Sequence, residues 1–294
     1  MSRKALPWTV PLTLICCAIL TLPASAQHFQ QVKGTLTQIA AGRNEVFGVD
    51  AASNIWRYNS TQKGFVSIQG LLVQVAVGGG TVSQTDDVWG VNGTGRVFRF
   101  NYNTKLFVST GKTTLTSITV GVGTQDKCHP YEVWGIYAPS QFAYRYDYCL
   151  KGFSLVPSGL TEVATGGGDV WGVNGASEIF HYDFATEEFV QVPGVLSQIS
   201  VGINDVWGVN GSAQIYRYDA STGSFPQVNG VALQISAGGD GVWALNGSDQ
   251  IFRFDPSSAS LIQVSGFLTN IAAGSGAGVW GINSAQQVFT FVRP

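Results

Sequence analysis

The stretch Val201-Gly202-Ile203-Asn204-Asp205-Val206-Trp207-Gly208-Val209-Asn210-Gly211, closely followed by Gln214-Ile215-Tyr216-Arg217-Tyr218-Asp219, holds two strand-like runs joined by a turn. Val206–Val209 and Gln214–Tyr218 are rich in β-branched and aromatic residues. The second run alternates, with Tyr216 and Tyr218 on one face and Ile215 and Arg217 on the other. Asn210-Gly211 between them supports the positive φ of a tight hairpin turn. Leu196–Val201 before and Phe225–Val228 after complete a unit of four short strands. No segment carries a sustained helical period.

The unit recurs along the chain. Val88-Trp89-Gly90-Val91-Asn92 and Val170-Trp171-Gly172-Val173-Asn174 are nearly identical to Val206–Asn210. Val133-Trp134-Gly135-Ile136, Val242-Trp243-Ala244-Leu245-Asn246 and Val279-Trp280-Gly281-Ile282-Asn283 vary it, and Val46-Phe47-Gly48-Val49 is a seventh copy with Phe for Trp. Trp171, Trp207, Trp243 and Trp280 follow at steps of 36, 36 and 37, whereas the earlier steps of 42 and 45 carry insertions. Seven in-phase units of four antiparallel strands predict an all-β chain folded as a seven-bladed β-propeller. The last copy supplies strands A (Leu268–Ala272), B (Val279–Ile282) and C (Gln287–Phe291) and then ends at Pro294 without a strand D. The missing strand is expected to be Phe29–Val32, which would complete the C-terminal blade and remove both open sheet edges. The ring beside each Gly reads first as blade packing, the Gly leaving room for a neighbouring blade's bulk.

The N-terminus reads as a leader. Arg3 and Lys4 precede an apolar run from Leu6 to about Leu22, and Ala24-Ser25-Ala26 supplies small residues for cleavage before Gln27. The expected organisation is a signal peptide over 1–26 and the propeller over 27–294. The apolar run is shorter than the ~20 residues of a membrane span, and no later stretch approaches that length. Setting aside Arg3 and Lys4 leaves 14 basic against 18 acidic residues, a charge of −4, which argues against a nucleic-acid face. Charged residues make up only 12% of the chain and Gly numbers 37, as suits tightly turned sheets with little charged helix surface. A secreted or periplasmic location follows from the leader. Cys128 and Cys149, the two cysteines after the leader, are then expected to form a disulfide, since both fall at the same end of one blade.

The run Val-Gly-x-x-(Asp/Glu)-Val-Trp-Gly-Val-Asn-Gly with Ile-Tyr-Arg-Tyr-Asp after it resembles the tectonin repeat, best at Val201–Asp219 and Thr165–Asp183. The resemblance covers essentially the whole chain after the leader. It extends to tachylectin-1-like and fish-egg lectins, and implies a propeller that binds glycans such as lipopolysaccharide or methylated saccharides through several repeated sites. Characterised relatives tend to have fewer blades than seven, and the first copy departs by exchanging ring positions, Phe47 on strand B and Trp56 on strand C.

Enzyme signatures are sparse. His28, His129 and His181 are far apart, and no cluster suggests a metal or another cofactor. His181 holds the strand C position taken elsewhere by Arg57, Arg99, Arg145, Arg217 and Arg253, which favours a repeat-position polar role over catalysis. Each of these arginines sits between aromatic neighbours. It either packs on a ring and pairs with an acid, or offers a hydrogen-bond donor to a sugar beside an aromatic platform. The acids before strand B, Asp87, Glu132, Asp169 and Asp205, either organise the turn or accept from sugar hydroxyls. Asp87, Glu132, Asp169, Asp205, Arg99, Arg145, Arg217 and Arg253 are therefore the candidate ligand-binding residues. Insertions at Gly78–Asp87 and Gly121–Glu132 lie at the A–B and C–D loop end, where a binding surface is expected. The Asn of Asn92-Gly93-Thr94, Asn210-Gly211-Ser212 and Asn246-Gly247-Ser248 reads as a turn residue before it reads as a glycan acceptor; Asn59-Ser60-Thr61 also matches the acceptor pattern. A non-catalytic, multivalent carbohydrate-binding protein is the leading expectation. Its rivals are an exported protein-binding scaffold, with the inserted loops meeting the partner, and a propeller lyase or hydrolase with carboxylates near the channel.

Overall fold

The computed structural model describes residues 27–79 and 85–292. The expected leader lies outside them, as does part of the Gly78–Asp87 insertion. The described residues form 28 strands and no helix. In the fifth repeat the strands are Gln198–Val201, Val206–Val209, Gln214–Arg217 and Gln227–Val231, all antiparallel, with Trp207 opposite Arg217 and Gly208 opposite Tyr216. Strand D starts later than the expected Phe225, because Pro226 has no N–H to give the ladder. Five repeats form separate four-stranded sheets; the first and last share an eight-stranded one, joined by a single parallel pairing of Lys33 with Gly64.

The A strands line the axis. Gln38–Ala41 meets Gln74–Gly78, which meets Ser117–Asp126, and the contacts continue through Leu160–Gly166, Gln198–Val201, Gln234–Gly238 and Asn270–Ala273 back to Gln38–Ala41. The N-terminal strand, His28–Thr35, runs antiparallel to the last strand, Gln287–Val292, pairing Phe29 with Phe291 and Val32 with Val288. Phe29 also packs on Trp243 and Phe291 at ring distances of 5.6 and 5.4 Å.

Two local expectations are corrected. The positive φ of the B–C turn falls on Ala213 (61°), not on Asn210-Gly211. Asn210 instead accepts with Oδ1 from the N–H groups of Ser212 and Gln214, so its side chain organises a longer turn. The Gly121–Glu132 insertion is not an open loop: strands A and B of the third repeat lengthen, pairing Gly121 with Glu132 and Val122 with Tyr131.

The core repeats with the sequence. Each strand B ring packs against a strand C ring of the next repeat: Trp89 on Tyr146, Trp134 on Tyr182, Trp171 on Tyr218, Trp207 on Phe254 and Trp243 on Phe291. Phe47 on Phe100 and Trp280 on Tyr58 complete the circuit. These Trp residues are buried, so they are packing elements and not sugar platforms. The adjacent Gly makes room for a leucine of its own repeat, not for the neighbouring blade as expected. A Cβ on Gly208 would lie 2.4 Å from Leu196 Cδ1, and one on Gly90 would lie 2.4 Å from Leu72 Cδ1. The sixth repeat has Ala244 for the Gly and Ala232 for the Leu, a matched exchange.

Neighbouring repeats are also latched by polar groups. Gln38 donates to the Val75 carbonyl and accepts from the Val75 N–H, both at 3.0 Å. Gln74 does the same with Ile118, Gln198 with Ile235 and Gln234 with Ile271. Glu162 holds this place in the fourth repeat, and burial pushes its pKa up to about 7 against a hydrogen bond from the Ile199 backbone.

Candidate ligand-binding clefts

The register that puts Trp207 opposite Arg217 also brings the strand B acid to both. Residues two apart along an extended segment share a face, so Asp205 lies beside Trp207 and diagonal to Arg217. In every repeat with such an acid, the carboxylate accepts from the ring N–H of the same strand or from the strand C cation, and usually from both. Asp87 accepts from Trp89 Nε1 at 2.7 Å, from Arg99 Nε at 2.8 Å and from the Tyr148 hydroxyl. Glu132 accepts from Trp134 Nε1 at 2.8 Å and from Arg145 Nε and Nη2 at 2.9 and 2.6 Å. Asp169 bonds Trp171 Nε1 at 2.7 Å and His181 Nε2 at 2.6 Å; burial opposes its charge, but these partners hold its pKa below the usual carboxylate value. Asp205 accepts from Trp207 Nε1 at 2.8 Å, while Arg217 Nη2 stands 3.8 Å away.

The acids are thus tied to the ring and the cation. Among the described residues a main-chain bond of the turn-organising kind is seen at Asp169, which also accepts from the Val170 N–H at 3.0 Å. The arginines do pack on rings, Arg145 over Trp134, Tyr182 and Phe184, and Arg217 over Trp207 and Phe254. His181 stacks on Trp171 with centroids 4.4 Å apart. Sequence reasoning left Glu45 out of the set, although it stands two residues before Phe47 and grips Arg57 at 2.5 and 2.7 Å.

The length of the acid divides the repeats. Glu45 and Glu132 reach both Nε and Nη2 of their arginines and close the guanidinium fork. Asp87 is one methylene shorter and reaches only Nε of Arg99; Asp205 pairs with Arg217 Nη2 at 3.8 Å, beyond hydrogen-bond distance. In the sixth repeat Gly241 stands in the acid's place, and Arg253 reaches Gln27 Oε1 at 3.5 Å. Clefts open at these three arginines. The largest, about 630 Å³, is lined by Asp169, Asn204, Asp205, Arg217, Asp219 and Gln227 among others. A second of about 520 Å³ lies at Arg99, and a third of about 270 Å³ at Arg253, Asp255 and Gln27. The Arg217 side chain is 47% exposed, against 12% for Arg145.

The axial channel is narrower, about 190 Å³, and its described lining is apolar, Gly, Ser and Thr, with no carboxylate ring. Cys128 and Cys149 form a disulfide that ties the lengthened A–B hairpin of the third repeat to its C–D turn. No described helix is long and apolar enough to cross a membrane.

The tectonin domain model matches residues 21–157 and 159–293. The chain belongs to the tectonin family. No curated protein matches this tectonin chain. Among solved structures it is similar to YCF48 bound to D1 peptide, at TM-score 0.67 and 12% identity over 93% of this chain and 99% of that one. It is also similar to the Myceliophteria thermophila Cps50 (Swd1) β-propeller domain, at TM-score 0.66 and 9% identity over 91% and 100%. Human WBSCR16 matches at TM-score 0.65 and 9% identity over 90% and 88%. At these identities the likeness shows the fold, and the tectonin repeats build a β-propeller scaffold.

Proposed function

We propose that this tectonin propeller is an exported, non-catalytic carbohydrate-binding protein of seven blades, with its sites at the clefts over Arg99, Arg217 and Arg253. The blade count rests on the closed circuit of seven A strands and seven aromatic seams, the eight-stranded sheet being two blades bridged at Lys33 and Gly64. Export rests on the leader-like sequence of 1–26 and fits the Cys128–Cys149 disulfide. The observation that carries the binding reading is the unclosed guanidinium of Arg217 over the largest cleft, with Asp205, Asn204 and Gln227 beside it. Donors and acceptors in a shallow cleft suit sugar hydroxyls, and the apolar wall of Val201, Ile203 and Val228 suits C–H faces. Similar clefts repeated on one rigid ring gain avidity on a repetitive glycan surface.

A glycan array probed with the full chain tests this, and binding of a saccharide set is the expected result. Asp205→Glu should close the fork on Arg217, as Glu132 closes that on Arg145, and weaken binding at that cleft. Failure of the unaltered protein to bind any lipopolysaccharide, methylated or simple saccharide would overturn the reading. A peptide- or protein-binding scaffold is the second reading, favoured by the fold's likeness to a YCF48 structure containing a peptide. A protein partner captured without any saccharide binding would select it.

A further inference from the structure

The three clefts differ in charge. The one over Arg217 is lined by Asp169, Asp205 and Asp219, and the one over Arg253 by Asp255. The cleft over Arg99 contains no carboxylate in its described lining and adds a second cation, Lys151. It lies between the outer half of the second repeat and the C–D turn of the third, with the half-buried Tyr102 as a ring surface and Asn103 and Ser109 at an exposed edge. Both oxygens of Asp87 are committed, Oδ1 to Arg99 Nε and Oδ2 to Trp89 and Tyr148. Among the described residues the Nη groups of Arg99 thus keep their donors for a ligand, and the Arg99 side chain is 40% exposed. Lys151 projects from the turn that the disulfide anchors through Cys149, two residues earlier.

We infer that the Arg99–Lys151 cleft is an anion-selective site that takes the acidic group of a uronate-type saccharide, distinct in ligand class from the acid-lined cleft over Arg217. This rests on the carbohydrate reading above and assigns one of its clefts a chemical class. The guanidinium edge matches a planar carboxylate through two N–H donors, and the ammonium adds charge without demanding a geometry. The sugar ring then lies against Tyr102 and Val108, while Asp87, buried behind the guanidinium, holds it in place.

Calorimetry with the full chain tests the inference, using digalacturonic acid and its carboxyl-reduced counterpart as probes. The acid should bind the more tightly, and should lose affinity as salt is raised. Lys151→Glu is a safe reversal, because Glu187 occupies the equivalent turn position of the fourth repeat at φ 57°, against 53° for Lys151. It should weaken the acid by up to roughly fivefold, the upper range for one exposed ion pair, and weaken the reduced sugar less. Equal binding of the two probes, unmoved by Lys151→Glu, would overturn the anion assignment and leave the carbohydrate reading standing. If neither probe binds but a neutral saccharide on the array does, the assignment again falls alone. If no saccharide binds, both fall.

Discussion

Gly208 and Leu196 are a pair in which neither residue can change alone. The room for Leu196 exists because position 208 has no Cβ, and the sixth repeat shows the alternative solution with Ala232 and Ala244. Gly208→Ala should therefore cost roughly 1–3 kcal/mol through overpacking. In a Leu196→Ala background, itself destabilised by its cavity, the added methyl should cost less, its remaining close contact being the Gln198 carbonyl oxygen at 2.7 Å. Urea denaturation of the four proteins in the cycle measures the coupling, and simple additivity would refute the pairing. The exchange was legible in the sequence as two simultaneous departures in one repeat. The acid's contact with the ring was missed, although Asp-Val-Trp spacing puts both side chains on one face and could have shown it. The difference between open and closed guanidiniums was less legible. It depends on one methylene reaching across a strand, and the sequence shows Glu and Asp as equivalent acids until the distances are known.

At the scale of elements, strands and their order followed from the 36-residue period, whereas turn conformation did not. The Asn-Gly pair is shared by two-residue and longer turns, and the side-chain bonds of Asn210 decide for the longer one. The inter-repeat latch was not read from the sequence: Gln38, Gln74, Gln198 and Gln234 recur, but their partners are main-chain groups that carry no sequence signal. Glu162 makes the fourth seam pH-dependent. A glutamine both donates and accepts there; an ionised carboxylate can only accept. Burial raises its folded pKa from the ordinary glutamate value of 4.5 to about 7. The stabilising contribution is thus complete below the unfolded value and is lost as pH rises through about 7. Glu162→Gln should stabilise the protein more at pH 8 than at pH 5, by a difference on the order of 2 kcal/mol. Chemical melts of both proteins at the two pH values check this, and an equal difference at both would sink it.

For the whole molecule, the decisive feature is closure by the N-terminal strand. It was legible because the last copy lacks a strand and an unassigned strand-like run precedes the first. Removing 27–32 would uncover Gln287–Val292 and the Phe291 ring, leaving an edge ready to pair with another chain. The truncated protein should melt at a lower temperature and form dimers or larger species on size-exclusion chromatography. A monomer of unchanged melting temperature would show that this strand does not hold the ring.

The same pairing imposes an order in time. His28 is matched with Val292, so of all the described strands the one made earliest finds its partner in the one made last. Each other repeat can assemble its own sheet as it emerges, from contacts close in sequence. The final seam joins the first described strand to the last, and long-range closure of this kind is slow. Until then the folding polypeptide is a string of nearly finished sheets with two unsatisfied ends, open to edge pairing with other chains until the first and last strands meet.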